Sequence, residues 1–118
     1  MDNLLKLEKL INSELASKVQ NSFIKNNELM IKINENDLIE VIQFLKSNEK
    51  CKFRQLIDIA GVDYPDEEKR FKLVYLFLSH ELNIRIKLSI NFQPKQVIAS
   101  ITKIFPSANW MEREVFDM

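Results

Sequence analysis

Nine residues in the second half of the chain, 84–92, alternate almost without fault between apolar and polar side chains. The apolar positions are Ile84, Ile86, Leu88, Ile90 and Phe92. Because successive side chains of a β-strand point to opposite faces, this period of two predicts a strand with one buried face. The segment before it, 71–79, is nearly all apolar from residue 73 onward, which predicts a central strand buried on both faces. A β-sheet with these two segments as antiparallel neighbours must therefore form the centre of the fold.

Two other parts of the chain carry strand patterns. Residues 19–25 and 29–33 are predicted to form a hairpin around the polar turn of Asn26, Asn27 and Glu28. Residues 53–60 alternate as well and run into Gly61–Pro65. We expect a turn there, with positive φ at the glycine, although such an unusual backbone would also suit a binding loop.

Helical spacing marks the remaining segments. Apolar residues recur every three or four positions over 3–17 and 36–47, which predicts two amphipathic helices. A third is predicted to open at Pro94 and stop at Pro106, and a fourth to begin near Asn109 with Glu112 in capping-box position. The apolar face of the third is formed by Val97, Ile98, Ile101, Ile104 and Phe105. Grouped strands with helices at both ends predict one α+β domain over 1–118. We expect a two-layer sandwich, with a mainly antiparallel sheet of four to five strands and helices on one face.

The scarce residues exclude several kinds of site. The 118 residues include one cysteine, Cys51, one histidine, His80, and one glycine, Gly61. A chain of this composition cannot supply the ligands of an iron-sulfur cluster or a zinc site, nor a disulfide or a glycine-rich nucleotide loop. Seventeen basic residues balance seventeen acidic ones, so no net field attracts nucleic acid. We therefore expect no cofactor or metal site in this chain, and no residue is expected to be catalytic. The longest stretches without a charge, such as 73–80, are about eight residues, well short of the roughly 20 that span a bilayer, so we also expect no membrane span and an intracellular protein.

Four ordered motifs resemble one known family. They read FRQLIDIAGVDYP at 53–65, RFKLVYLFLS at 70–79, NIRIKL at 83–88 and ANWMEREVFDM at 108–118. Together they are similar to the C subunit of the proton-pumping NADH:quinone oxidoreductase, the thirty-kilodalton subunit of respiratory complex I in mitochondria. The resemblance implies a peripheral subunit of the hydrophilic arm, on the cytoplasmic face of the bacterial inner membrane or the matrix side in mitochondria. It also implies packing against the D subunit, which helps form the quinone site and is called the quinone-site subunit below, with flavin and iron-sulfur clusters held by partner subunits.

The family signature covers the last residues of the chain and predicts an interface. Its candidate residues are Trp110, Glu112, Arg113, Glu114, Val115, Phe116 and Asp117. In the family, the signature continues into a basic, proline-containing segment, whereas this sequence stops at Met118, so we expect truncation within the signature. An apolar patch around Trp110, Val115 and Phe116 would then be exposed, or hidden by self-association.

Other interpretations of these residues stay open at this point. The charged residues of the signature could form salt bridges in an interface, a solvated helix face, or, least in keeping with their spacing, a catalytic cluster. Trp110 is expected to be an anchor, His80 a solvated turn residue and Cys51 a buried or half-buried filler. The rival from a different class is a free-standing enzyme or small-molecule binding domain. Its carboxylates would be Asp58, Asp63, Glu112 and Glu114, and they would have to converge in one pocket.

Overall fold

A five-stranded sheet is the centre of the fold. The computed structural model describes residues 2–93 and 98–116, without the side chains of Asp2 and Phe116. The strands are β1 (Val19–Lys25), β2 (Glu28–Ile33), β3 (Gln55–Asp63), β4 (Phe71–Ser79) and β5 (Ile84–Phe92). They lie in the order β1-β2-β5-β4-β3, with β2 and β5 parallel and the other three neighbouring pairs antiparallel. The predicted mainly antiparallel sheet is confirmed.

Three helices within the described ranges complete the domain. They are α1 (Asp2–Glu14), α2 (Leu38–Ser47), which follows a 3₁₀ turn at Glu35–Asp37, and α3 (Ala108–Phe116). The helix predicted over 3–17 and the one predicted over 36–47 are therefore confirmed, with ends shifted by up to three residues. None of these helices combines the length and the apolar character needed to cross a bilayer.

The first hairpin forms where the polar turn predicted it. Asn26 and Asn27 both have positive φ, 53° and 61°. A two-residue hairpin turn requires this left-handed backbone, which asparagine tolerates better than most residues with a side chain. Glu28, expected in the turn, is the first residue of β2 and pairs with Lys25.

The core lies between the helices and one face of the sheet. Inward residues of α1 and α2, such as Leu7, Ile11 and Ile42, form a single cluster with Tyr75 and Leu88 of the sheet. The described helices thus pack on one face, and the two-layer arrangement is confirmed. The prediction that β4 is buried on both faces was wrong. Its residues alternate between buried and half-buried, because no described helix covers the other side.

The turn predicted over Gly61–Pro65 begins only at Pro65, and the expectation of positive φ at Gly61 was wrong. Gly61 lies inside β3 opposite Leu73, and no glycine in the described ranges has positive φ. Pairing of β3 with β4 continues to Asp63, whose carboxylate accepts two hydrogen bonds from Arg70, at 2.6 and 2.9 Å. Extended backbone that gains ladder hydrogen bonds is preferred here over a turn, so the alternative of a binding loop starting at Gly61 fails as well.

The helix predicted between Pro94 and Pro106 does not form in its described part. Residues 94–97, including Val97, lie outside the described residues, and 98–105 are irregular with a turn. The N–H groups of Ile104 and Phe105 both donate to the carbonyl of Ile101. The helical spacing of apolar residues is real, but a single turn already buries all three side chains, and Pro106 has no N–H to continue it.

Candidate interface on the last helix

A buried carboxylate fixes α3 to the preceding turn. Glu112 is 5% exposed and accepts hydrogen bonds from the Oγ of Ser100 at 2.7 Å and the Oγ1 of Thr102 at 3.1 Å. Its other oxygen accepts from the backbone N–H of Ile101 at 3.1 Å. The capping box predicted between Asn109 and Glu112 is therefore wrong. Asn109 is already inside the helix, and Glu112 satisfies donors of residues 100–102 instead of one at the helix start.

A side chain of α2 also contacts this turn, which spans residues 101–105. The Nζ of Lys46 donates to the carbonyl of Ile104 at 2.6 Å and lies 5.1 Å from the centroid of the Phe105 ring. The ring of Phe105 packs in turn against Phe77 of β4, with centroids 5.2 Å apart. One end of the turn is thus bonded to α3 and the other end to α2 and β4, so the turn connects α3 to the rest of the domain.

Tyr75 of β4 is completely buried near Glu112. Its hydroxyl has no hydrogen-bond partner among the described residues. Burial, and then the negative charge of Glu112, raise the pKa of Tyr75 far above its ordinary value. The phenol is therefore neutral at any physiological pH, and this pair is a part of the core and not an acid-base site.

The outer side of α3 carries the exposed candidates. Trp110 is 68% exposed, and Arg113 and Glu114 are exposed beside it. Val115, predicted to share an exposed apolar patch, is only partly exposed and packs against the core. The side chain of Phe116 and all of Asp117 lie outside the described residues, so the predicted patch is represented by Trp110 alone.

The four carboxylates of the rival interpretation do not converge. Asp58 is exposed and pairs with Leu76, which faces away from the helices, whereas Glu112 is buried beside Tyr75 on the other face. Asp63 lies five residues further along β3, about 17 Å from Asp58 at ~3.4 Å per residue. There the hydrogen-bonded guanidinium of Arg70 holds the pKa of the Asp63 carboxyl below its ordinary value. With Glu114 exposed on α3, a shared carboxylate pocket was the wrong expectation.

The remaining reactive groups are positioned as structural residues. Cys51 is buried, as predicted for a filler, and burial raises the pKa of its thiol to about 11. His80 is exposed, as predicted, with its Nε2 2.6 Å from the Oε1 of Gln55. Across residues 2–93 and 98–116, no three His, Cys, Asp or Glu side chains come together as metal ligands.

Ser100 and Thr102 are the site residues that the sequence did not predict. Their hydroxyls face Glu112 only because residues 98–105 are not helical. A Ser-x-Thr segment ten to twelve positions before a glutamate carries no recognisable local signal. It could have been found only from the pairing of one buried acid with donors elsewhere in the chain.

The fold and this anchored helix define an α+β two-layer domain with an exposed tryptophan on its last helix. Residues 31–118 match the model of the respiratory-chain NADH dehydrogenase 30 kDa subunit family. The chain belongs to this family, and the resemblance carried by its four motifs is confirmed.

Curated relatives extend the match over nearly the whole chain. It is 38% identical over 118 residues to the NADH-quinone oxidoreductase C subunit of Rhodospirillum rubrum, covering 100% of this chain and 55% of the relative. It is 40% identical over 108 residues to the corresponding C subunit of Chelativorans sp., covering 92% and 54%. The chain therefore spans about half the length of the curated relatives it matches.

A solved structure shares the fold. A chain in the structure of the membrane-bound sulfane sulfur reductase, an archaeal respiratory membrane complex, aligns with a TM-score of 0.79 and 21% identity. The alignment covers 95% of this chain and 66% of the other. At this identity the likeness shows the architecture and nothing about activity.

Proposed function

We propose that this chain acts as a non-catalytic scaffold subunit of the proton-pumping NADH:quinone oxidoreductase. It packs on the quinone-site subunit and supports electron transfer from NADH to quinone without carrying electrons. As a peripheral subunit of the hydrophilic arm, it lies on the cytoplasmic face of the bacterial inner membrane, or on the matrix side in a mitochondrion. Membership of the 30 kDa subunit family supports the assignment to this complex.

The observation that carries the scaffold role is the exposure of Trp110 on a helix that cannot easily reorient. Tryptophan is enriched at the energetic centres of interfaces, where its truncation typically costs at least about 2 kcal/mol. Glu112, on the buried side of α3, bonds that helix to residues 100–102 before any partner binds. A preorganised anchor loses less entropy on association, which favours a permanent contact with a neighbouring subunit. Arg113 and Glu114 would form the polar rim of that contact.

The environments of the single cysteine and the single glycine favour a non-catalytic, scaffold role. Cys51 is buried with a raised pKa, and Gly61 is in a strand and not in a phosphate-binding loop. Following the resemblance to the family, we assign the flavin and the iron-sulfur clusters to partner subunits. NADH oxidation and proton translocation then belong to the assembly, in which this chain contributes binding surface.

Co-purification from membranes tests the proposal. The tagged chain, expressed in cells that lack their own copy of this subunit, should recover the quinone-site subunit and the cluster-bearing subunits. Trp110→Ala should weaken recovery of the quinone-site subunit by about thirtyfold, the equivalent of ~2 kcal/mol. Tyr64→Ala is the matched control, because Tyr64 is an exposed aromatic residue outside α3, 39% exposed.

Two outcomes would contradict the proposal. If the unmodified chain recovers no other component of the oxidoreductase, the assignment to the complex is wrong. If it recovers them and the Trp110 and Tyr64 variants behave alike, the chain is part of the complex but α3 is not the interface.

A further inference from the structure

The sheet face opposite the helices, called the open face below, has a continuous row of side chains across all five strands. In order the row is Phe23, Met30, Lys87, Leu76 and Asp58, each paired in register with the next. Residues directly opposite on neighbouring strands share a face, so these side chains stand next to each other. At ~4.8 Å per strand the row is about 19 Å long, enough to lie along a short peptide segment.

The open face is partly apolar although no described helix covers it. Phe23 is 49% exposed, and Met30, Val74 and Leu76 are half-buried. A groove of about 630 Å³ runs over these side chains. Partly exposed apolar side chains grouped in a groove among polar residues are typical of a binding site.

The charges around the groove are unbalanced. It is lined by four lysines, Lys25, Lys32, Lys72 and Lys87, and by one carboxylate, Asp58. Lys87 has Glu28 at 3.8 Å, whereas the other three lysines make no ion pair within the part of the chain that the structure describes. The whole chain has seventeen residues of each sign, so the excess of lysines around the groove is balanced by acidic residues elsewhere in the chain.

We propose that the open face binds an acidic segment of a neighbouring subunit in the respiratory complex. Apolar side chains of that segment pack on Phe23 and Met30 and on Leu76, and its carboxylates pair with the lysines of the groove. This inference rests on the proposed function, because it takes the partner from the same assembly. It adds a second contact surface. This surface is on the open face, whereas α3 packs on the other face of the sheet.

A protein segment fits this face better than a polyanion does. Nucleic acid and anionic lipid headgroups present phosphates, and lysines bind these as point charges without needing apolar contact. The groove instead combines two apolar pairs, Phe23 with Met30 and Val74 with Leu76, with lysines between and around them. Apolar contacts next to charged groups are typical of a protein interface.

Photo-crosslinking within the assembled complex identifies what lies on the open face. A benzoylphenylalanine is introduced at Ala60, an exposed residue opposite Val74, and the crosslinked peptide is sequenced. The matched control carries the same group at Ala16, which is exposed after α1. The expected product at position 60 is a peptide of another subunit that contains at least two acidic residues, and the control should not give it.

Charge reversal then tests the lysines. Lys32→Glu with Lys72→Glu should lower the yield of that product at least about tenfold, because interface charge pairs are worth this much or more. Lys6→Glu with Lys9→Glu, on the exposed side of α1, should leave the yield unchanged. Both double variants are first shown by circular dichroism to melt at temperatures close to that of the unmodified chain.

Several results would overturn the inference. These are a crosslink to a second copy of this chain, a crosslinked peptide without acidic residues, no crosslink, or equal yields from the two double variants. Binding of the isolated chain to vesicles containing phosphatidylglycerol, abolished by the Lys32/Lys72 reversal, would identify a lipid surface instead.

If oxidoreductase subunits co-purify while position 60 gives no product, the open-face proposal fails and the scaffold function stands. If none of them co-purifies, both fail.

Discussion

The two faces of the sheet are built from alternate residues of the same strands, yet they differ in burial and in polarity. On the covered face Tyr75, Phe77 and Leu88 are completely buried against the helices. On the open face their strand neighbours Leu76 and Lys87 remain half-buried in a groove. A regular alternation of side chains can therefore specify two surfaces at once. The covered face stabilises the domain, and the open face is the one that we propose binds a partner.

The largest expected difference concerns leucine truncation on the two faces. Leu88→Ala on β5 should lower the free energy of unfolding by about 2 to 5 kcal/mol, because it leaves a cavity in a close-packed core. Leu76→Ala on β4 should cost about 1 kcal/mol, since its side chain is already in contact with water. Urea denaturation of the isolated chain measures both. Equal losses would mean that the open face contributes to folding as much as the core does.

The thiol of Cys51 provides a pH-dependent test of burial on the covered side. Its pKa is raised by burial from 9.0 to about 11, so the native state resists ionisation that the unfolded chain undergoes. The stabilising difference is complete below pH 9 and is lost as the pH rises from about 9 to about 11. Unfolding should therefore become easier by about 2 kcal/mol over this interval.

The matched variant for this titration is Cys51→Ala, in which the part of the alkaline loss due to the thiol should disappear. As a contrast on the open face, Asn21→Cys in the Cys51→Ala background should react with iodoacetamide at pH 8 on the order of a hundredfold faster than Cys51 does. Comparable reaction rates would show that Cys51 is accessible and that the two sides of the sheet are less different than the burial indicates.

The smallest of the three effects is expected at the carboxylate that ties α3 to the covered side. Glu112→Gln keeps the shape of the side chain but removes the charge that strengthens its bonds to Ser100 and to the N–H of Ile101. The loss of stability should be about 1 to 2 kcal/mol, measured by thermal or urea unfolding. The control Glu114→Gln, on the exposed side of α3, should change stability by less than about 0.5 kcal/mol. If Glu112→Gln left the stability unchanged, α3 would be held by packing alone.

The elements predicted correctly from the sequence are those with a long, regular pattern. Strands β4 and β5, the hairpin with its Asn26 and Asn27 turn, and the two N-terminal helices all follow from side-chain direction along a short stretch of backbone. The signature helix was also placed within one residue of its start. In each case the secondary structure that the local residues prefer is also the one that the packed domain requires, so the sequence pattern is sufficient to predict the element.

The failures occurred where a distant partner overrode the local pattern. Gly61 is typical of a turn, but it pairs with Leu73 in the β3–β4 ladder. The segment before Pro106 has helical spacing, yet the N–H of Ile101 donates to Glu112, eleven residues later. Neither partner is visible from the neighbouring residues, because its position depends on how the whole chain folds.

The interface on α3 stays a prediction, but one part of its geometry followed from the sequence. Trp110 is exposed, as expected for the predicted apolar patch. The expectation that Val115 would be exposed with it was wrong, because α3 turns that side chain toward the core. Helix periodicity shows which residues share a side, but only docking of the helix decides which side meets the core.

Amino-acid order alone was enough to establish the α+β class, most of the strands and the family, because each depends on local periodicity or on a run of particular residues. Only the tertiary structure decided three other features. These are the parallel pairing of β2 with β5, the hydrogen bonds of Glu112 to residues 100–102, and an open face that none of the described helices covers. These features join segments far apart in sequence. Their free energy comes from contacts between those segments, and no short stretch of residues encodes such contacts.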